Sequence, residues 1–123
     1  YIYVKNCEVF DCKITANGSV GGIIGHAGNN PATYHFIENC VVENCTLTAN
    51  DGSWRAGAIV GTANVGEVTI TNCTDRNNTI SMTWNGSTLN APADFHASPV
   101  RHLYGRTVFG STGKLTINSV AIQ

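Results

Sequence analysis

Val4-Lys5-Asn6-Cys7-Glu8-Val9-Phe10-Asp11-Cys12-Lys13-Ile14-Thr15-Ala16-Asn17 has a counterpart 33 residues on, Ile37-Glu38-Asn39-Cys40-Val41-Val42-Glu43-Asn44-Cys45-Thr46-Leu47-Thr48-Ala49-Asn50. A weaker third copy runs Ile70-Thr71-Asn72-Cys73-Thr74-Asp75-Arg76-Asn77-Asn78-Thr79-Ile80, and a fourth begins at Leu115-Thr116-Ile117-Asn118-Ser119-Val120-Ala121-Ile122. A repeat of this length with alternating apolar residues is the signature of stacked strands. Overlaying the copies gives four columns: Val4/Ile37/Ile70/Ile117, Cys7/Cys40/Cys73/Val120, Ile14/Leu47/Ile80 and Ile23/Ile59/Leu103. The alternation skips at Phe10-Asp11, Glu43-Asn44 and Arg76-Asn77. Asp and Asn tolerate the left-handed backbone that a sharp corner needs, and stacked Asn side chains can bond up a column.

Each copy leads into a Gly-bounded apolar segment: Gly21-Gly22-Ile23-Ile24-Gly25-His26-Ala27, then Gly57-Ala58-Ile59-Val60-Gly61-Thr62-Ala63, then a decayed Arg101-His102-Leu103-Tyr104-Gly105. The glycines read as bends of the same coil. The fold expected is all-β: a short right-handed parallel β-helix (solenoid) of three coils, 1–33, 34–66 and 67–113, with a partial coil 114–123 and a loop insertion, 81–100, in the third. A β-sandwich with coincidental repeats is the competing reading.

Composition agrees. Of 123 residues, 48 are Asn, Thr, Ser or Gly, and Val plus Ile outnumber Leu by 21 to 4, a bias toward strands. Charged residues make up 12%, about half the usual share. A net charge of −1 excludes a basic nucleic-acid surface, and no run of 18 apolar residues is present to insert in a membrane. The start at Tyr1, already in strand-type sequence, reads as a C-terminal piece of a longer protein.

Gly22-Ile23-Ile24-Gly25, followed by a strand carrying Asn39-Cys40, resembles the GLUG motif. The likeness covers residues 4–80 in repeat style and 101–122 less well; Ala58 and His102-Leu103-Tyr104-Gly105 depart from it. The resemblance implies a repeat region of a bacterial (Bacteroidetes-type) surface or secreted β-solenoid protein, with no catalytic residues to carry over. It implies a non-enzymatic, extracellular or cell-surface module, stalk-like or adhesin-like, that needs no cofactor.

Function beyond that rests on individual residues. Trp54 and Arg55 lie in one inter-strand turn, and Trp84, Phe95 and His96 lie in the insertion of the next coil. Insertions map to one face of a solenoid, and aromatic rings there stack on sugar C–H faces. These five are the candidate ligand-binding residues, with host or microbial glycans or surface proteins as partners. The competing view is that the loops cover one side of the core. Asp75, Arg76, Asp94 and Arg101 form the only candidate acid–base cluster, and would mark the remnant of a polysaccharide-active β-helix enzyme. Lys5 over Glu38 and Glu43 over Arg76 read as exposed charge pairs. The Cys-x4-Cys spacings at 7/12 and 40/45, with Cys73, leave three readings: buried thiols, disulfides or metal ligands, with separate columns disfavouring one metal tetrahedron. His35 aligns with apolar Ile2, Val68 and Leu115, and reads as a residue near a coil's edge with a satisfied hydrogen bond rather than a ligand. His26, His96 and His102 show no ligand spacing. Exposed end strands would permit edge-to-edge self-association.

Overall fold

The structure is a computed structural model; it describes residues 1–27, 30, 32–50, 56–63, 66–84, 87–90, 114–118 and 120–122. Among these the regular structure is all β-strand. The first repeat contributes β1 (Ile2–Lys5), β2 (Glu8–Phe10), β3 (Lys13–Ala16), β4 (Val20–Gly21) and β5 (Ile24–Ala27). The second contributes β6 (Tyr34–Glu38), β7 (Val41–Glu43), β8 (Thr46–Ala49), β9 (Ala56–Gly57) and β10 (Val60–Ala63). Then come β11 (Glu67–Thr71), β12 (Thr74–Arg76), β13 (Thr79–Trp84), β14 (Ser87–Asn90), β15 (Lys114–Ile117) and β16 (Val120–Ile122).

Each strand pairs in parallel with its counterpart in the next repeat. Sheet order is β1-β6-β11-β15-β16, β2-β7-β12, β3-β8-β13-β14, β4-β9 and β5-β10. The register is the one the columns predict: Val4 opposite Ile37, Ile37 opposite Ile70, Ile70 opposite Ile117, and Ile14 opposite Leu47 opposite Ile80. The Gly segments also pair, Val20 with Ala56, Gly21 with Gly57 and Val60 with Ile24. The Leu103 end of the fourth column lies outside the described residues. Side chains alternate along β6, where His35 and Ile37 are buried and Tyr34, Phe36 and Glu38 half-buried. That period of two sends every second residue to the core. The core gathers Ile37, Cys40, Val42, Cys45, Leu47, Ile59, Val60, Ile70 and Ile80.

The corners are made by Asx residues. Asn6, Asp11, Asn39, Asn44, Asn72, Asn77 and Asn118 all hold φ between 47° and 57°. All seven are exposed, so their conformation and not their packing selects them. Asp11, Asn44 and Asn77 are the corners read from the sequence. Asn6, Asn39 and Asn72 make a second set, which the sequence reading used only to mark the repeat. The ladder runs through both sets by backbone bonds: Asn6 N–H donates to Glu38 O, Asp11 N–H to Glu43 O, Asn39 N–H to Thr71 O and Asn44 N–H to Arg76 O.

The glycines serve space more than conformation. A Cβ on Gly22 would run into the Ala58 carbonyl oxygen and lie 2.7 Å from a Val42 methyl. Among the described residues the glycine with positive φ is Gly66, at 82°.

Two further expectations are corrected. Val120 does not extend the cysteine column. The chain keeps a left-handed corner at Asn118 and then turns back, so β16 pairs antiparallel with β15 and Val120 sits opposite Ile117. The insertion does not begin as a loose loop. β13 runs on to Trp84, and β14 returns antiparallel against it, Met82 opposite Leu89 and Trp84 opposite Ser87. The remainder, 91–100, lies outside the described residues.

Candidate functional site

Of the five candidate ligand-binding residues, Trp54, Arg55, Phe95 and His96 lie outside the described residues. Trp84 is placed by its backbone alone, as the last residue of β13. Asp94 and Arg101 also lie outside, as do His96 and His102. His26 is an exposed residue of β5 opposite Thr62. The two described members of the candidate acid–base cluster are engaged. Asp75 Oδ1 accepts from Asn78 Nδ2 at 2.6 Å, and the Arg76 guanidinium pairs with Glu43 at 3.5 Å. Lys5 pairs with Glu38 at 3.4 Å, so both charge pairs expected across the 33-residue step form. Exposed pairs of this kind contribute at most about 1 kcal/mol.

The cysteines share one geometry. Each follows a left-handed corner, and its thiol lies near the carbonyl two residues back: Cys12 Sγ to Phe10 O and Cys40 Sγ to Glu38 O, both at 3.3 Å. Inner thiols also lie near a carbonyl of the preceding repeat, as Cys45 Sγ does to Val9 O at 3.7 Å and Cys73 Sγ to Ile37 O at 3.6 Å. The inner sulfurs, of Cys40, Cys45 and Cys73, thus act as small apolar fillers whose weak S–H donors meet strand carbonyls. All five are free thiols. The buried-thiol reading holds for Cys40 and Cys45. Cys7 and Cys12, in the first repeat, are exposed. Burial pushes the Cys73 thiol up to about 11. Among the described residues no group of three His, Cys, Asp or Glu side chains is arranged to hold a metal ion.

Asn78 completes the second cysteine column, which the sequence reading did not see. It follows the corner at Asn77 as Cys45 follows Asn44. Its Nδ2 donates to Val42 O at 2.8 Å, the counterpart of the Cys45 contact with Val9, and its Oδ1 accepts from the Cys45 backbone N–H at 2.9 Å. The 33-residue step from Cys45 to Asn78 was the available signal.

His35 is buried in its apolar column, between Ile2 and Val68. Burial lowers its pKa from the usual 6.5, opposed by a bond to the Glu67 backbone. Its Nδ1 has no hydrogen-bond partner among the described residues, so the histidine is satisfied at one nitrogen only.

The chemistry-bearing surface that the structure does display is aromatic. On the outer face of β1 and β6, Tyr3 stacks on Phe36 at 4.9 Å between centroids and Tyr1 on Tyr34 at 5.2 Å, within 20° of parallel. Lys5 Nζ lies 5.2 Å from the Tyr3 centroid, within cation–π reach. The sequence carried the signal, since Tyr3 and Phe36 are 33 residues apart and of outward parity. This patch offers ring faces and one ammonium.

Residues 16–51 match the family model of Glug, the GLUG motif. The match runs from the end of β3 through the first Gly segment to just past β8, inside the 4–80 range of the resemblance. No curated protein and no solved structure matches the chain.

Proposed function

We propose that the chain is a short right-handed β-solenoid module with a non-enzymatic, structural role, a stalk-like or adhesin-like part of a bacterial surface or secreted protein. The observation that carries this reading is the register. The parallel ladders repeat at a fixed step, with Asx corners in the same places, so each repeat rests on its neighbours as in a stacked array. The GLUG match over residues 16–51 supports the repeat-module class.

The test is a glycan-array screen of the chain beside a Trp54→Ala, Trp84→Ala double variant, with product release from polysaccharides assayed in parallel. A stalk-like or adhesin-like module shows no turnover, and any binding it has survives the loss of both tryptophans. Binding lost in the folded double variant would replace this reading with a carbohydrate-binding module. Turnover abolished by Asp75→Asn would replace it with an enzyme.

A further inference from the structure

Cys40 and Cys73 are neighbours in one column, and the register pins them on both sides. Glu38 lies opposite Thr71 before the pair, and Val41 opposite Thr74 after it. Backbone bonds cross at the same step, from Asn39 N–H to Thr71 O at 3.0 Å and from Thr74 N–H to Cys40 O at 2.8 Å. Parallel neighbours lie about 4.8 Å apart, inside the ~4.4–6.8 Å that separates the Cα atoms of disulfide-bonded cysteines. The side chains also point the same way. Cys40 Sγ lies by Glu38 O at 3.3 Å, and Cys73 Sγ by Thr71 O at 3.6 Å. Cys73 Sγ reaches Ile37 O, in the repeat of Cys40, at 3.6 Å as well. The two thiols interact directly with each other. The structure is the reduced form, with both as free thiols.

We infer that Cys40 and Cys73 are an oxidisable pair that closes into a disulfide, stapling the second repeat to the third. Only the sulfurs have to move, by side-chain rotation, because the backbone ladder already holds both Cα atoms at bonding distance. The oxidant is a low-molecular-weight disulfide such as oxidised glutathione. The Cys73 thiolate attacks one of its sulfurs and expels a thiolate, which leaves a mixed disulfide on Cys73. Cys40 gives its proton to solvent, attacks the Cys73 sulfur and expels the second thiolate. Two cysteine thiols are oxidised, and one small disulfide is reduced to two thiols. Burial holds the Cys73 thiol at about 11, so the bond forms while the repeats are still stacking and only slowly once they have closed. Cys7 flanks Cys40 on its other side and is the competing partner. The pairing rests on the register of the repeats and not on a surface or secreted setting, although such a setting supplies oxidising surroundings.

The experiment refolds the reduced 123-residue chain from urea in a mixture of oxidised and reduced glutathione, blocks the remaining thiols and maps the tryptic fragments by mass. Fragment Ile14–Arg55, which carries Cys40 and Cys45, is expected to be linked to Ala56–Arg76, which carries Cys73. Fragmentation between Cys40 and Cys45 assigns the sulfur. The link should persist in Cys7→Ala and vanish in Cys73→Ala. A bond that closes a loop of this length in the unfolded chain should lower the unfolding equilibrium constant on the order of a hundredfold. That effect is read as a higher urea midpoint than the reduced protein shows, with the same circular dichroism. Unlinked fragments from protein that has regained its native circular dichroism overturn the proposal. So does a link from Cys40 to Cys7, or from Cys73 to Cys45. A link that forms as readily in urea, where no register exists, or one that lowers the urea midpoint, overturns it too.

Discussion

Replacing Asn44 by alanine should destabilise the fold through the backbone alone. Asn44 is exposed and holds φ at 56°, so its side chain contributes no core packing. An L-residue with a plain Cβ pays about 1–2 kcal/mol in this region, because Cβ crowds the following carbonyl oxygen. Asparagine pays part of that cost already, so Asn44→Ala is expected to lose about 1 kcal/mol. Glycine pays no steric cost but loses more entropy on folding, about 0.4–1 kcal/mol. Asn44→Gly should therefore fall within about 0.5 kcal/mol of the parent. Asn44→Asp should also be mild, since Asp11 makes the same corner one repeat earlier at φ 56°. Asn39 stands at the other end of β7 with φ 55°, so an Asn39→Ala, Asn44→Ala pair should lose about 2 kcal/mol by addition. Urea denaturation followed by circular dichroism measures these differences as midpoint shifts at constant slope. For a domain of this size about 1 kcal/mol also corresponds to roughly 4 °C in Tm. If alanine is as stable as asparagine, or glycine as unstable as alanine, the corner argument is wrong.

Thiol titration with a chromogenic disulfide should modify Cys7 and Cys12 promptly in the folded protein, and Cys40, Cys45 and Cys73 only in denaturant, since burial and a pKa near 11 withhold the Cys73 thiolate. Because burial lowers the His35 pKa below 6.5, the unfolded chain takes its proton first; this part of the stability is complete above pH 6.5 and is lost as pH falls below it. His35→Val, matching Val68 in the same column, should flatten that acid dependence in denaturation curves taken at pH 5 and pH 8; an unchanged slope rules the histidine out as its source. Asn78→Ala should cost about 1–3 kcal/mol by stranding the buried Cys45 N–H, whereas Asn77→Gly next to it should be near neutral. Equal losses at the two sites in urea melts would contradict the assigned roles.

Much of this molecule was legible as a string. Two copies sharing Asn-Cys at a fixed interval set the register, because parallel stacking puts equivalent residues opposite each other, and Val4, Ile37, Ile70 and Ile117 do align. Alternation identified the inward positions, and the skips at Asp11, Asn44 and Asn77 identified corners, since both are consequences of local backbone geometry. The pairs Lys5–Glu38 and Glu43–Arg76 followed from the same step. The candidate sugar site, by contrast, rested on Trp54 and on the insertion, where the repeat breaks and its register no longer locates a side chain.

The sequence alone determined the period, the columns and the all-β class, because these depend on side-chain parity and on the interval at which like residues recur along the chain. The tertiary structure decided how deeply each copy is buried. Cys7 and Cys40 occupy one column, yet one is exposed and the other enclosed. It also decided that Val120 folds back on Ile117 instead of starting another repeat, and that Asn78 serves where a cysteine stood before. The pile of Tyr1, Tyr3, Tyr34 and Phe36 on the outer face of β1 and β6 is of the same kind. Such outcomes turn on which strand comes to lie beside which, and on whether any strand lies there at all.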